Sequence, residues 1–178
     1  LGFLTDILPD DISEKIPEVL DGHFEEESRF LLETEVLRDN EVVGSGDALN
    51  DIVVNSGTSA QMIEFELFVD DQFVYSQGSD GLIIATPTGS TAYSLSAGGP
   101  IMQPGLNAIV LVPMYPHSLN SRPIVVDGDS EIRVVVSPRN ILQPQLSCDG
   151  SSNYTAQPGD EFIITKKSVP LQLLHPLD

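Results

Sequence analysis

From Arg29 to the end of the chain, apolar runs of only three to eight residues recur at short intervals, each closed by turn-forming residues. Ile52-Val53-Val54, Ile109-Val110-Leu111-Val112, Ile124-Val125-Val126, Ile132-Arg133-Val134-Val135-Val136, Phe162-Ile163-Ile164 and Leu171-Gln172-Leu173-Leu174 are too short for amphipathic helices, and most are rich in β-branched residues. Phe30, Leu32 and Val36 alternate with Arg29, Glu33 and Glu35, which predicts a strand with one polar face. Met62–Val69 and Gln72–Tyr75 flank Asp70-Asp71, the pattern of a hairpin. Asp127-Gly128-Asp129 and Pro158-Gly159-Asp160 separate later runs. These signals restrict the chain to a mainly β fold: an antiparallel, multi-sheet, β-sandwich-like domain with one or two short helices. One helix is expected near the start, capped by Asp10 or Asp11, running to Leu20 past Pro17 and stopping at Gly22. Glu25-Glu26-Glu27 reads as a solvated approach to the next strand, and Leu1-Gly2-Phe3-Leu4 as a strand continuing from something upstream.

One stretch breaks the pattern. Asp80 to Pro100 begins with the apolar run Leu82-Ile83-Ile84-Ala85, the size of a buried strand. Thr86-Pro87-Thr88-Gly89 follows as a breaker cluster. Ser90 to Ala97 then reads as a short helix, with Ser90 as its N-cap and Gly98-Gly99-Pro100 as its stop. A strand, a tight turn and a helix start present free backbone N–H groups to anions and ribose hydroxyls. Six hydroxyl side chains (Thr86, Thr88, Ser90, Thr91, Ser94, Ser96) crowd eleven residues beside Tyr93, more than a structural turn needs. The spacing is neither that of a Walker A loop nor that of a nucleophile elbow.

Charge narrows the partners. The formal net charge is -19, and residues 1–80 carry 20 acids against 3 bases, whereas residues 81–178 carry 7 against 5. A surface this acidic argues against a nucleic-acid backbone as partner. Most of the acids read as solvation, and the near-neutral half holds the hydroxyl-rich turn, which suits a phosphate-bearing ligand. No apolar run approaches the roughly 20 residues that span a bilayer, so no membrane partner is expected. The lone Cys148 cannot form an internal disulfide, which predicts a reducing, cytoplasmic setting. His23, His117 and His175 lie far apart with none near Cys148, so no structural metal is expected.

Asp80-Gly81-Leu82 followed by Thr86-Pro87-Thr88-Gly89-Ser90-Thr91-Ala92-Tyr93 and Ser96-Ala97-Gly98-Gly99-Pro100 resembles the longest signature of the NAD kinases, most closely their bacterial branch. Leu1-Gly2-Phe3-Leu4-Thr5, Arg29-Phe30-Leu31-Leu32, Ala48-Leu49-Asn50-Asp51, Pro116-His117-Ser118-Leu119 and Ser121-Arg122-Pro123 match in order and spacing, so the resemblance covers nearly the whole chain. It implies transfer of a phosphoryl group from ATP, or from polyphosphate, to the adenosine-ribose 2′-hydroxyl of NAD, giving NADP. A divalent cation (Mg²⁺ or similar) would accompany ATP, and none would be bound structurally. NAD, NADP and ATP are the implied ligands, and a homodimer or homotetramer the implied assembly. The family's catalytic base is the Asp of a Gly-Gly-Asp-Gly motif in an N-terminal α/β domain, and that motif is absent from these residues. The resemblance therefore implies residues 1–24 as the end of, and connection from, that domain, and residues 25–178 as the all-β NAD-binding domain, inactive alone. Both ends look truncated on this reading.

The implied NAD-binding residues are Asn50, Asp51, Asp80, Ser90, Thr91, Ala92, Tyr93, Ser94, Leu95 and Ser96, with no catalytic residue in this chain. Read without the resemblance, Asn50-Asp51 is a turn or a hydrogen bond at the start of a strand. With it, Asn50 reads the adenine edge and Asp51, where the family usually has Glu, contacts the nucleoside. Asp80 is otherwise an exposed turn acid, and by resemblance lies near the nicotinamide. Gln77-Gly78-Ser79 stands where relatives often carry a basic residue, so a phosphate contact is missing there or supplied elsewhere. Tyr93 is either a core aromatic of a short helix or a ring that stacks against a base or closes the nucleotide pocket. Asp149-Gly150 reads as a structural turn bordering the site. The alternatives are a non-catalytic nucleotide-binding β-domain and a related lipid kinase domain, and the Thr86–Tyr93 run favours the NAD branch over the lipid branch.

Overall fold

A computed structural model describes residues 7–57, 62–118 and 120–177. The expected strand at Leu1-Gly2-Phe3-Leu4 lies outside them, as does Leu119 of the quoted Pro116–Leu119 match. A 3-10 turn over Pro9–Asp11 runs directly into helix α1 (Ile12–Leu20), which ends at Gly22 with φ 91°. The helix is where the sequence puts it, but neither Asp10 nor Asp11 caps it through its side chain. Asp11 already has helical backbone, with φ -94° and ψ -6°, because the preceding turn continues into the helix and leaves no abrupt start to cap.

Fourteen strands make up most of the remainder of the described residues: β1 (Phe24–Arg29), β2 (Leu32–Arg38), β3 (Glu41–Ala48), β4 (Asp51–Asn55), β5 (Ile63–Val69), β6 (Gln72–Ser79), β7 (Gly81–Ala85), β8 (Ala108–Met114), β9 (Ile124–Asp127), β10 (Ile132–Val136), β11 (Gln145–Cys148), β12 (Ser151–Thr155), β13 (Glu161–Lys166) and β14 (Leu171–Pro176). A single helical turn, α2 (Tyr93–Ser96), interrupts them. All pairings are antiparallel, in one sheet ordered β3-β2-β13-β10-β5-β6, another ordered β12-β11-β4-β7-β8-β9, and a two-stranded β1-β14 ribbon. The mainly β, sandwich-like expectation holds.

The two large sheets share a core. Leu32, Val36, Phe65, Leu67, Ile132, Val134 and Phe162 from the first meet Ile52, Val54, Leu82, Ile84, Ile109 and Leu111 from the second. Alternate residues of β4, β7 and β8 point the other way, and Val53, Ile83, Ala85, Val110 and Val112 are buried beneath Met102 and Ala97 in the chain that follows α2. Strands covered on both faces explain why these runs are continuously apolar rather than alternating. The hairpin at Asp70-Asp71 is present, with φ 50° and 61°. Asp39-Asn40 and Asp149-Gly150 make equivalent left-handed turns between β2 and β3 and between β11 and β12.

Two sequence readings need correction. Glu25-Glu26-Glu27 is not an approach to a strand but part of β1, paired with Leu173–His175 of β14. Arg29 does not face solvent on a polar face: it is 3% exposed, ending β1 with its guanidinium turned inward. Period-2 alternation cannot anticipate this, because Phe30-Leu31 separates β1 from β2 and the two strands belong to different sheets.

Candidate functional site

The turn after β7 and the start of β4 are built as one unit. Thr86 donates its N–H to the Asn50 carbonyl (2.9 Å) and its hydroxyl to the Leu49 carbonyl (2.6 Å). Gly89 then packs so closely on Asn50 that an added Cβ would lie 1.9 Å from the Asn50 carbonyl oxygen. On the other side, the Asp149 carboxylate accepts N–H bonds from Leu49 (2.8 Å), Asn50 (2.7 Å) and Asp51 (3.1 Å). Asn50 is therefore held by both of its main-chain groups, and the structure brings Asn50, Asp51 and the hydroxyl-rich turn together.

Arg29 reaches the same turn from beneath. Its guanidinium donates to the Thr88 hydroxyl (3.2 Å) and to the Glu27 carboxylate (2.6 Å), and Glu27 also meets His175 Nε2 at 2.9 Å. The Arg29 hydrogen bond, more than the His175 contact, holds the Glu27 carboxyl below the usual range. Arg29 has no role in the local sequence pattern, because its partners come from far along the chain: β14 returns beside β1, with Leu171 opposite Arg29, and Thr88 lies in the turn.

Ser90 is placed differently from the expectation. It is fully buried, donates to the Pro87 carbonyl (2.6 Å) and accepts the Met102 N–H (2.9 Å), so it pins the turn to a distant segment rather than capping a helix. The helix expected from Ser90 to Ala97 is split into a 3-10 turn (Gly89–Thr91) and α2, with the break at Ala92, where φ is -95° and ψ -128°. Ser94 is also fully buried, with Gly99 packed against its hydroxyl. Thr91 and Ala92 are half-buried, while Leu95 and Ser96 are exposed. Tyr93 is 46% exposed, which removes its reading as a core aromatic.

Tyr93 and Ser96 form one wall of a cavity of about 350 Å³ whose other walls include Met114, Tyr115, Ser121 and Arg122. That volume lies within the range of small-ligand pockets. Asp80 is at the end of β7 remote from Asn50, about 15–20 Å away along the strand. Its N–H donates to the carbonyl of Met114 (2.9 Å), which puts it beside this cavity rather than beside the Asn50 cluster. Arg122, within the Ser121-Arg122-Pro123 segment, has no role assigned by the sequence pattern and is a cation on the cavity wall.

Asp51 is the electrostatic anomaly. It is 5% exposed, and burial first, then the charge of Asp149, pushes its carboxyl up to about 6. A folded-state value above the unfolded one means the folded chain binds the proton more tightly. Stability from this group is fully present below about pH 4 and is lost as pH rises through about 6. The loss amounts to about 3 kcal/mol for a shift of about two units. Asp51→Asn is expected to abolish that decline and to be the more stable protein at pH 8, as read by urea unfolding at pH 4 and pH 8. Among the described residues, no three or more His, Cys, Asp or Glu side chains are grouped to hold a metal, and no helix is long and apolar enough to cross a membrane.

Residues 49–175 match the family described as the ATP-NAD kinase C-terminal domain. Among curated proteins, the chain is 62% identical over all 178 residues to the NAD kinase of Pseudomonas entomophila and 64% identical to that of Azotobacter vinelandii, spanning 60% of the length of each. Among solved structures, yeast NADH kinase complexed with NADH superposes with a TM-score of 0.88 at 31% identity, over 99% of this chain and 53% of that one. An Archaeoglobus fulgidus NAD kinase in complex with ATP superposes with a TM-score of 0.76 at 28% identity, over 93% of this chain and 61% of that one.

Proposed function

We propose, given that this chain belongs to the ATP-NAD kinase C-terminal domain family, that it holds the NAD substrate of an enzyme that phosphorylates the adenosine-ribose 2′-hydroxyl of NAD to give NADP. The phosphoryl donor is ATP or polyphosphate. The observation that carries this reading is the clamped Asn50-Asp51 segment packed against the Thr86–Gly89 turn. Asn50 offers one donor and one acceptor to the adenine edge, and Asp51 accepts from a nucleoside hydroxyl. Thr91, Ala92, Leu95 and Ser96 line the ligand's path, and the exposed Tyr93 ring stacks on it. Ser90 and Ser94 support from within. Asp80 and the cavity beside it take the nicotinamide end. Arg122 supplies the phosphate contact that Gln77-Gly78-Ser79 lacks, a guanidinium being well matched to phosphate.

The rest of the enzyme supplies the chemistry. Residues 1–24 form the connection from an N-terminal α/β domain, and residues 25–178 the NAD-binding domain. The catalytic base is the Asp of a Gly-Gly-Asp-Gly loop outside these residues. A divalent cation travels with ATP on the donor phosphates; the described residues include no cluster suited to a resident one. The assembly is a homodimer or homotetramer. Its support is the apolar side chains left open on the edge strands: Val42 and Val43 on β3, Phe73 and Val74 on β6, and Val125 on β9. Cys148, a free buried thiol, fits a reducing cytoplasmic setting.

NAD at a hundred times its dissociation constant stabilises a binding protein by about 2.7 kcal/mol, which for a domain of this size raises Tm by roughly 5–10 °C. That rise is expected with NAD and not with a lipid headgroup analogue. A rise with the lipid analogue alone would favour a related lipid kinase. A rise with NAD in the absence of any kinase activity of the intact protein would favour a non-catalytic nucleotide-binding domain.

A further inference from the structure

We propose that Asp149 is a positioning residue for nucleotide binding, its carboxylate holding Asn50 and Asp51 in the orientation that grips the nucleoside; this rests on the reading of those two residues as the clamp. Asp149 opens the two-residue turn between β11 and β12, at φ 48°, with Gly150 at φ 77°. The turn itself does not require an acid there. Asn or Gly adopts a left-handed backbone at least as readily, and Asn-Gly is a preferred pair for such a turn. What only a carboxylate does is accept from three successive main-chain N–H groups with two oxygens. Oδ1 takes Asn50 (2.7 Å) and Asp51 (3.1 Å), and Oδ2 takes Leu49 (2.8 Å).

The arrangement binds in both directions. Asp149 returns its own N–H to the Asp51 carbonyl (3.0 Å), while Thr86 engages the Leu49 and Asn50 carbonyls from the far side. Donors of the segment point to Asp149 and acceptors to Thr86 and to the Asp149 main chain. The Asn50 side chain consequently projects from a backbone fixed on two sides. The choice of residue also carries an electrostatic cost, since a second carboxylate is set beside the buried Asp51. An amide in its place would relieve that repulsion, so the acid is explained by the three bonds and not by local charge balance.

The test is a double-mutant cycle on NAD affinity, measured by calorimetry in the intact enzyme that carries this domain. Asp149→Ala is expected to raise the NAD dissociation constant about tenfold or more, since each hydrogen bond lost is worth roughly fivefold. Asp149→Asn keeps Oδ1 as an acceptor and loses only the Leu49 bond, so about threefold to fivefold is expected. In a background already carrying Asn50→Ala and Asp51→Ala, the further change Asp149→Ala should add less than about twofold, because the groups it positions are gone. An equal factor in both backgrounds would overturn the proposal, since Asp149 would then act on the ligand directly or through general instability. Unchanged affinity in folded Asp149→Ala, with Asn50→Ala weakened, would overturn it while leaving the clamp intact. Unchanged affinity in the Asn50→Ala, Asp51→Ala protein would instead remove the clamp itself, and this proposal with it. Urea unfolding of each variant shows that binding is compared among folded proteins, and Asp149→Asn carries the cycle if Asp149→Ala does not fold.

Discussion

Gly89→Ala is expected to destabilise the protein by about 3 kcal/mol or more and to weaken NAD binding at least tenfold. The new Cβ would meet the Asn50 carbonyl oxygen at 1.9 Å, its carbonyl carbon at 2.4 Å and its Cα at 2.7 Å. All three are backbone atoms, so no side chain can swing aside. The turn has to lift from β4, and with it go the Thr86 N–H bond to Asn50 and the Thr86 hydroxyl bond to Leu49. Overpacking alone costs about 1–3 kcal/mol, and each lost bond adds about 1 kcal/mol. The same movement displaces Asn50, which couples the loss of stability to the loss of affinity. Gly105→Ala is the control, because nothing lies within 4 Å of a Cβ there. Urea unfolding and NAD titration of the two variants measure both effects. Equal behaviour would mean that the contact between turn and clamp is slack.

The second expectation concerns turnover. The 178 residues contain the dinucleotide grip proposed above but no Gly-Gly-Asp-Gly loop of the kind proposed to cradle the donor phosphates and supply a base. Loss of a general base costs about 10²–10⁴ in rate, and loss of donor binding removes the proximity contribution as well. The chain on its own is therefore expected to form no measurable NADP from NAD, ATP and Mg²⁺ in an assay coupled to an NADP-specific dehydrogenase, while the intact enzyme does. Turnover by these residues near that of the intact enzyme would refute both the assignment of the base to another domain and the division of labour proposed for the two parts.

Much of this architecture was legible in the residues, and the exceptions share a cause. Leu82-Ile83-Ile84-Ala85, Ile109–Val112 and the Asp70-Asp71 hairpin declare themselves locally, through β-branched runs and a turn that tolerates left-handed backbone. β3 does not. Its Gly44-Ser45-Gly46-Asp47 centre lacks an apolar pattern, and Gly44 is there because the Tyr154 ring lies 2.8 Å from where a Cβ would sit. The Asp39-Asn40 turn was the available signal for that strand. β11 and β12 are similarly rich in Ser and Gln and are held by pairing rather than propensity. Ser90 looks like an N-cap because the local pattern knows nothing of Met102, whose N–H donates to its hydroxyl oxygen. Arg29 looked solvent-facing because no short window contains β14.

The candidate site divides along the same line. Membership of one turn is a local property, so Thr86 to Ser96 could be singled out from the sequence, whereas the bonds that fix Asn50 come from residues 36 and 99 positions away. The separation of Asp80 from Asn50 along β7, the burial of Asp51 and the cavity beside Tyr93 are products of sheet order. No spacing in the chain encodes them directly.

The central claim is that Asn50 grips the nucleoside of NAD, and calorimetric titration of NAD into the intact enzyme and its Asn50→Ala variant tests it most directly. Removing a hydrogen-bonding side chain from a closed site costs about 1–3 kcal/mol, so the variant's dissociation constant should rise about 5-fold to 150-fold with its unfolding transition preserved. An unchanged dissociation constant in a folded Asn50→Ala protein would contradict the account and leave Asn50 as no more than a turn residue.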